Sequence, residues 1–60
     1  MKNNKWVIEK NGMYFKRHIM DGMNHYVKNI KEAKKYKSLD DLYWDRIRFK
    51  IDKMTIKDVI

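Results

Sequence analysis

Few side chains in this sequence are capable of metal or acid–base chemistry. His18 and His25 fall on two strands that the pattern joins as a hairpin, and the predicted register sets them side by side. Zinc takes three or four protein ligands, and the chain has no cysteine to complete such a set. We therefore predict solvated histidines, no metal site and no cofactor.

Residues that could act in nucleophilic catalysis are also scarce. The one serine, Ser38, is predicted to cap a helix, the one threonine is Thr55, and there is no glycine-rich phosphate loop. Asp41 and Asp45 fall on one helix face with no histidine nearby in the sequence, and a solvated helix face explains them. The sequence therefore predicts a protein that is not an enzyme and has no catalytic residues.

The charged residues are mostly basic. Fifteen lysines and arginines against eight acidic residues give a net charge of +7, a balance that favours polyanions or acidic protein surfaces as partners. Twelve of the fifteen are lysines, which supply point charge without the bidentate fork of arginine. The densest cluster comprises Lys28, Lys31, Lys34, Lys35 and Lys37.

Two turn signals position the first half of the chain. Asn11-Gly12 and Asp21-Gly22, each between alternating apolar and polar residues, predict two hairpins and a three-stranded meander that ends near residue 28. The first hairpin is predicted to pair its strands from Lys10 opposite Met13 to Trp6 opposite Arg17. The predicted core face carries Trp6, Ile8, Met13, Phe15 and Ile19. The predicted wet face carries Val7, Glu9, Tyr14, Lys16 and His18.

The second half is predicted to supply one helix and a closing strand. Ser38 is a good N-cap, and apolar residues at helical spacing predict a helix over 39–48 with a core stripe of Leu39, Leu42, Tyr43 and Ile47. Alternation predicts a strand over 53–59, with Met54, Ile56 and Ile60 on one side. The predicted fold is a single α+β domain over 1–60: a small antiparallel sheet, built from the three-stranded meander and the C-terminal strand, packed on one α-helix.

Length and composition indicate the size of the domain and the cellular compartment to expect. A chain of 60 residues has room for one small domain, which hides only about 60% of its unfolded surface. The lack of cysteine excludes disulfides, and the sequence has neither a signal-peptide core nor a run of apolar residues long enough to span a membrane. We therefore expect a cytoplasmic protein that does not enter the membrane.

The predicted helix is the first candidate binding surface. Its apolar residues cover about 200° of the circumference, which is wider than one sheet hides. A tryptophan beside tyrosine and arginine is typical of interface hot spots, although Trp44 is equally explained as a cap on the edge of a thin core. A homodimer, formed through this helix or through an edge strand, is a further way to bury the apolar surface that the sheet does not cover. The predicted partner-binding residues are Lys31, Lys34, Lys35, Lys37, Tyr43, Trp44, Arg46 and Arg48.

The sheet offers an alternative, a surface for DNA or RNA. A three-stranded sheet with basic and aromatic residues, backed by one helix, resembles in element order the arm-type DNA-binding domains of phage integrases over residues 5–48. Non-specific attraction from the net charge supports the same interpretation. The residues of this alternative are Tyr14, Lys16, Arg17, His18, Tyr26 and Lys28.

A broader resemblance covers nearly the whole chain. The segments WVIEKNGMYF (6–15) and YVKNIKEAKKYKS (26–38), followed by a capped helix and a closing strand, resemble a class of small proteins encoded by phages and prophages of low-GC Gram-positive bacteria. An N-terminal hairpin and an I-x-E-A-x-x-(Y/F)-x-S step, matched here by Ile30 to Ser38, recur in that class. The resemblance implies a protein of the bacterial host cytoplasm that binds and disables a host enzyme or an antiviral system.

Overall fold

One four-stranded antiparallel sheet and one α-helix make up the part of the chain, residues 5–59, that the computed structural model describes. The elements are β1 (Trp6–Lys10), β2 (Met13–Met20), β3 (Met23–Val27), a 3₁₀ turn (Ile30–Glu32), α1 (Leu39–Arg48) and β4 (Thr55–Asp58). The strand order is β3-β2-β1-β4. The predicted α+β fold, with a meander and a closing strand, is confirmed, whereas the predicted position of Ile60 lies outside the described residues.

The two turns differ in type. Asn11 and Gly12 both have positive φ, at 54° and 79°, as the predicted type I′ turn requires. In the second turn Gly22 has a φ of 79°, but Asp21 does not take a positive φ, so this turn is not a second type I′ turn. It nevertheless closes on the predicted pair of Met20 and Met23.

Segment 34–36 runs between β1 and β2, which part after the first two pairs of their hairpin. The Lys34 N–H donates to the Phe15 carbonyl in β2 at 3.0 Å, and the Tyr36 N–H donates to the Trp6 carbonyl in β1 at 2.8 Å. The Trp6 N–H donates back to Tyr36 at 3.1 Å. The predicted continuation of the β1–β2 ladder as far as Trp6 opposite Arg17 is therefore wrong.

Both faces of β1 are buried, because Tyr36 of the inserted segment packs on one face and Ala33, just before that segment, packs on the other. The cluster beneath α1 contains Ile8, Phe15, Tyr36, Leu42 and Ile51. The cluster on the opposite side of the sheet contains Val7, Val27 and Ala33, with Tyr14, Ile30 and Val59 packed against it. The predicted solvation of Val7 is therefore wrong: Ala33, which lies 26 positions away in the sequence, helps to cover it.

Two irregularities in β2 change the predicted faces of its residues. The register against β3 shifts by one residue between Phe15 and Arg17 and again between His18 and Met20, so the two-residue alternation is interrupted at both places. His18 consequently lies on the helix side, where its ring stacks on Phe49 at a centroid distance of 4.3 Å. Ile19 is half exposed. The predicted core position of Ile19 and the predicted solvation of His18 are both wrong.

Both ends of α1 are closed by local hydrogen bonds. The Ser38 Oγ accepts from the Asp41 N–H at 3.3 Å, which confirms the predicted N-cap. At the C-terminus the Ile51 N–H donates to Arg46 O at 3.0 Å and the Lys50 N–H donates to Ile47 O at 3.3 Å, the two bonds of a Schellman motif. No helix within residues 5–59 has the length and apolar character needed to cross a bilayer.

Lys50 occupies the left-handed position of this motif, with a φ of 55°. We expect Lys50→Gly to raise the free energy of unfolding by about 0.5–1 kcal/mol, because glycine relieves the strain of a side chain in this conformation. Urea unfolding monitored by circular dichroism measures the change. Lys50→Ala is the matched control, since it removes the lysine side chain and keeps the strain. A Lys50→Gly protein no more stable than Lys50→Ala would contradict the assignment of strain.

Candidate protein interface on helix α1

Helix α1 turns most of its apolar residues toward solvent. Leu42 is fully buried, whereas Leu39, Tyr43, Trp44 and Ile47 are 38%, 44%, 63% and 64% exposed. At about 100° per residue, Tyr43, Trp44 and Ile47 lie on the side opposite Leu42. The predicted core stripe is therefore wrong except at Leu42. We call the four exposed residues, Leu39, Tyr43, Trp44 and Ile47, the α1 face.

Asp45 explains this orientation of the helix. It is 5% exposed and lies on the buried side, where its Oδ2 accepts hydrogen bonds from Lys34 Nζ and Tyr36 Oη, each at 2.7 Å. Arg48 Nη2 lies 3.4 Å from Oδ1. The predicted exposure of Asp45 to solvent is therefore wrong. A buried carboxylate needs hydrogen-bonding and charged partners, and α1 must turn its Asp45 side toward Lys34 and Tyr36 for the carboxylate to reach them.

The protonation states of this network follow from its contacts. Burial acts to raise the pKa of Asp45, but the hydrogen bonds from Lys34 and Tyr36, with the nearby charges of Lys34 and Arg48, outweigh burial and lower that pKa overall. Burial, together with the hydrogen bond to Asp45, raises the pKa of Tyr36 far above its ordinary value. Asp45 is therefore an anion and Tyr36 a hydrogen-bond donor at neutral pH.

A basic groove of about 480 Å³ runs between α1 and the segment before it. Its cationic lining residues are Lys34, Lys35, Lys37 and Arg48. Lys35 Nζ is held by two backbone carbonyls, those of Lys31 at 2.7 Å and Ala33 at 3.1 Å. The structure thus brings three of the predicted lysines together beside the helix, while Lys31 contributes its carbonyl to this arrangement.

The groove and the α1 face are neighbours on the helix surface. Arg48 lines the groove and follows Trp44 by four positions, so the two side chains lie on adjacent turns of one side. Arg46, also exposed, falls on the other border of the α1 face, beside Leu39. The result is an apolar strip with arginines at both borders and one exposed acid, Asp40, within its first turn.

Tyr43, Trp44, Arg46 and Arg48 were predicted as contact residues, and the structure leaves all four exposed. The exposure of Leu39 and Ile47 and the burial of Asp45 were not predicted, because the sequence neighbours of Asp45 carry no sign of its burial.

The residues proposed for nucleic acid are divided between surfaces. Tyr26 and His18 lie on the helix side, where Tyr26 meets Phe15 edge to face at 6.0 Å. Tyr14 packs against the opposite cluster. Arg17 and Lys28 are exposed and Lys16 is half buried. The six residues therefore do not form one continuous basic and aromatic face.

The two histidines are not paired in the sheet. His25 lies opposite Arg17, and His18 lies opposite Asn24, whose Oδ1 is 2.8 Å from His18 Nδ1. The predicted pairing of His18 with His25 is wrong because the register shifts by one residue between His18 and Met20. Within residues 5–59, no group of three or more potential ligands is placed to hold a metal ion.

Comparison with family models, curated proteins and solved structures finds no match for this chain. The interpretation of the site therefore rests on its own geometry.

We expect Asp45→Asn to lower the free energy of unfolding by about 2–4 kcal/mol, because it removes a charged acceptor from two short hydrogen bonds in a buried place. Asp41→Asn, the same change at an exposed position one turn earlier, is expected to cost less than about 1 kcal/mol. Urea unfolding at neutral pH compares the two variants. Equal losses would contradict the structural role of Asp45.

The stability of the protein should also depend on pH through Asp45. A carboxyl group whose pKa is lowered by folding stabilises the protein above its unfolded pKa, near 4, and this contribution is lost as the pH falls through the folded pKa. We therefore expect the difference in stability between wild type and Asp45→Asn to be constant near neutral pH and to shrink in acid below about pH 4. A stability difference between the two proteins that grows as the pH falls would contradict a lowered pKa for Asp45 in the folded protein.

Proposed function

We propose that this protein is a non-enzymatic inhibitor that binds a bacterial host protein or an antiviral-defence protein in a stoichiometric complex, with the α1 face as its contact surface. The observation that carries the proposal is the exposure of Tyr43, Trp44 and Ile47 on the side of α1 turned away from the sheet. Large apolar residues that lie together on the surface of a small domain are typical of a protein-binding site.

The spacing of the α1 face supports a helix-in-groove mode of binding. Leu39, Tyr43 and Ile47 follow one another at four-residue intervals, the spacing at which helix anchors enter an apolar groove. Trp44 extends the strip on its arginine side. Tryptophan and tyrosine are the side chains most often found as energetic anchors of protein interfaces. The target is accordingly expected to offer an apolar groove at least two helical turns long.

Charge supports an acidic rim around that groove. Arg46 and Arg48 border the α1 face, and the lysines of the basic groove extend the positive surface beyond Arg48. Complementary charges at a rim accelerate association and select the partner. A net charge of +7 is the opposite of that of a DNA mimic, so an inhibitor of a nuclease or helicase would dock on acidic protein surface.

We place the target in a bacterial cell because the chain resembles small phage proteins. The motif from Ile30 to Ser38 is part of that resemblance. Two elements of that motif have structural roles here. Tyr36 holds the Asp45 carboxylate, and Ser38 caps α1. The recurring step is thus the part of the chain that orients the α1 face.

Affinity capture tests the proposal. The tagged protein is incubated with a nuclease-treated lysate of a low-GC Gram-positive bacterium, and the captured protein is then purified and titrated. We expect one stoichiometric partner, whose activity falls as the protein is added. Trp44→Ala with Ile47→Ala should weaken binding by at least about 30-fold, the loss expected for one interface hot spot.

The matched control is Ile19→Ala with Met20→Ala, which removes two side chains of similar exposure, 50% and 57%, from the far hairpin. This control should retain full affinity. Equal binding by both double variants would refute the α1 face as the contact. Recovery of partners only when nuclease is omitted, with binding abolished by high salt and by Lys16→Glu and Arg17→Glu, would instead establish the nucleic-acid alternative.

A further inference from the structure

The sheet has one edge that lacks the usual protection against pairing. β3 lies at the end of the strand order, and among its five residues, Met23–Val27, there is no lysine, arginine, acid or proline. The opposite edge, β4, is shorter and carries Lys57 and Asp58. Natural edge strands are normally blunted by charges, proline or short length, and an edge without them is open to another strand.

The distribution of charge distinguishes the surfaces through which two copies of the chain can approach one another. Every copy of the chain has a net charge of +7, so two copies repel wherever their basic surfaces meet. The α1 face, bordered by Arg46 and Arg48, is such a surface and discriminates against a second copy. The five residues of β3 carry no formal charge, so a strand that pairs with this edge meets no charged side chain of β3 itself.

We propose that β3 pairs antiparallel with β3 of a second copy, in the register centred on His25. This register pairs all five residues of the strand, since it sets Met23 opposite Val27 and Asn24 opposite Tyr26 of the other copy. Met23 is 51% exposed and lies on the same side of the strand as Val27, so the pairing covers apolar surface as well as backbone groups. The product is a continuous eight-stranded sheet.

The dimer leaves the α1 faces free. Helix α1 packs over β1 and β2 through Leu42, Ile8 and Phe15, and its C-cap residue reaches β3, where the Phe49 carbonyl accepts a hydrogen bond from Asn24 Nδ2 at 3.3 Å. A two-fold axis perpendicular to the sheet places both helices on the same side. The two β2 strands then lie about 14 Å apart, three strand spacings of roughly 4.8 Å. The dimer presents two identical binding faces in one direction, although the pairing itself does not depend on the proposed function.

Charge-swap variants at the centre of the register test this pairing. Sedimentation equilibrium of the wild-type protein, from micromolar to millimolar concentration, should show the mass rising from 7.5 kDa toward twice that value. His25→Lys and His25→Glu each place like charges opposite one another across the axis and should weaken dimerisation at least about tenfold. An equimolar mixture of the two variants should regain the dimer, because the charges then attract.

Thr55→Lys, which adds the same charge to the exposed β4 edge, is the matched control and should dimerise like wild type. Amide chemical shifts of the wild-type protein provide a test without mutation, because those of β3 should change with concentration and those of β4 should not. A mass that stays at 7.5 kDa throughout would overturn the pairing. Retention of the dimer by both His25 variants, or failure of their mixture to restore it, would also overturn it.

Discussion

The buried carboxylate of Asp45 determines how α1 lies on the sheet. Its two 2.7 Å hydrogen bonds, from Lys34 and from Tyr36, join the helix to the segment inserted between β1 and β2. Burying a charge without such partners is costly, so the helix is rotated to bring Asp45 inward together with Leu42. Tyr43, Trp44 and Ile47 then point away from the core, and an electrostatic requirement inside the protein produces the apolar surface outside it.

Segment 33–37, which includes the inserted residues 34–36, has a comparable influence on the sheet. Tyr36 contributes to the cluster beneath α1 and Ala33 to the cluster on the other side, so this short stretch helps build both parts of the core. In a chain of 60 residues the available core is small, and burying both faces of β1 is an economical way to enlarge it. The same segment carries the lysines of the basic groove, so core and charged surface derive from neighbouring side chains.

Sequence reasoning succeeded where structure is decided locally. The Asn11-Gly12 turn, the Ser38 cap and the bounds of α1 depend on residues within a few positions, and all three are confirmed. It failed where distant segments meet, as in the burial of Val7 and Asp45. The excess apolar arc of α1 was foreseen, but its direction was not, because hydrophobic spacing alone favours Ile47 over an aspartate for the inner side.

The two register shifts in β2 make the chemistry of the far hairpin depend on chain length at two points. Side chains alternate along a strand, so each extra residue reverses the faces taken by the residues beyond it. Between the two shifts, this places His18 against Phe49. One codon gained or lost at either point would therefore exchange the faces of neighbouring residues without any substitution, while the helix that bears Trp44 stays as it is.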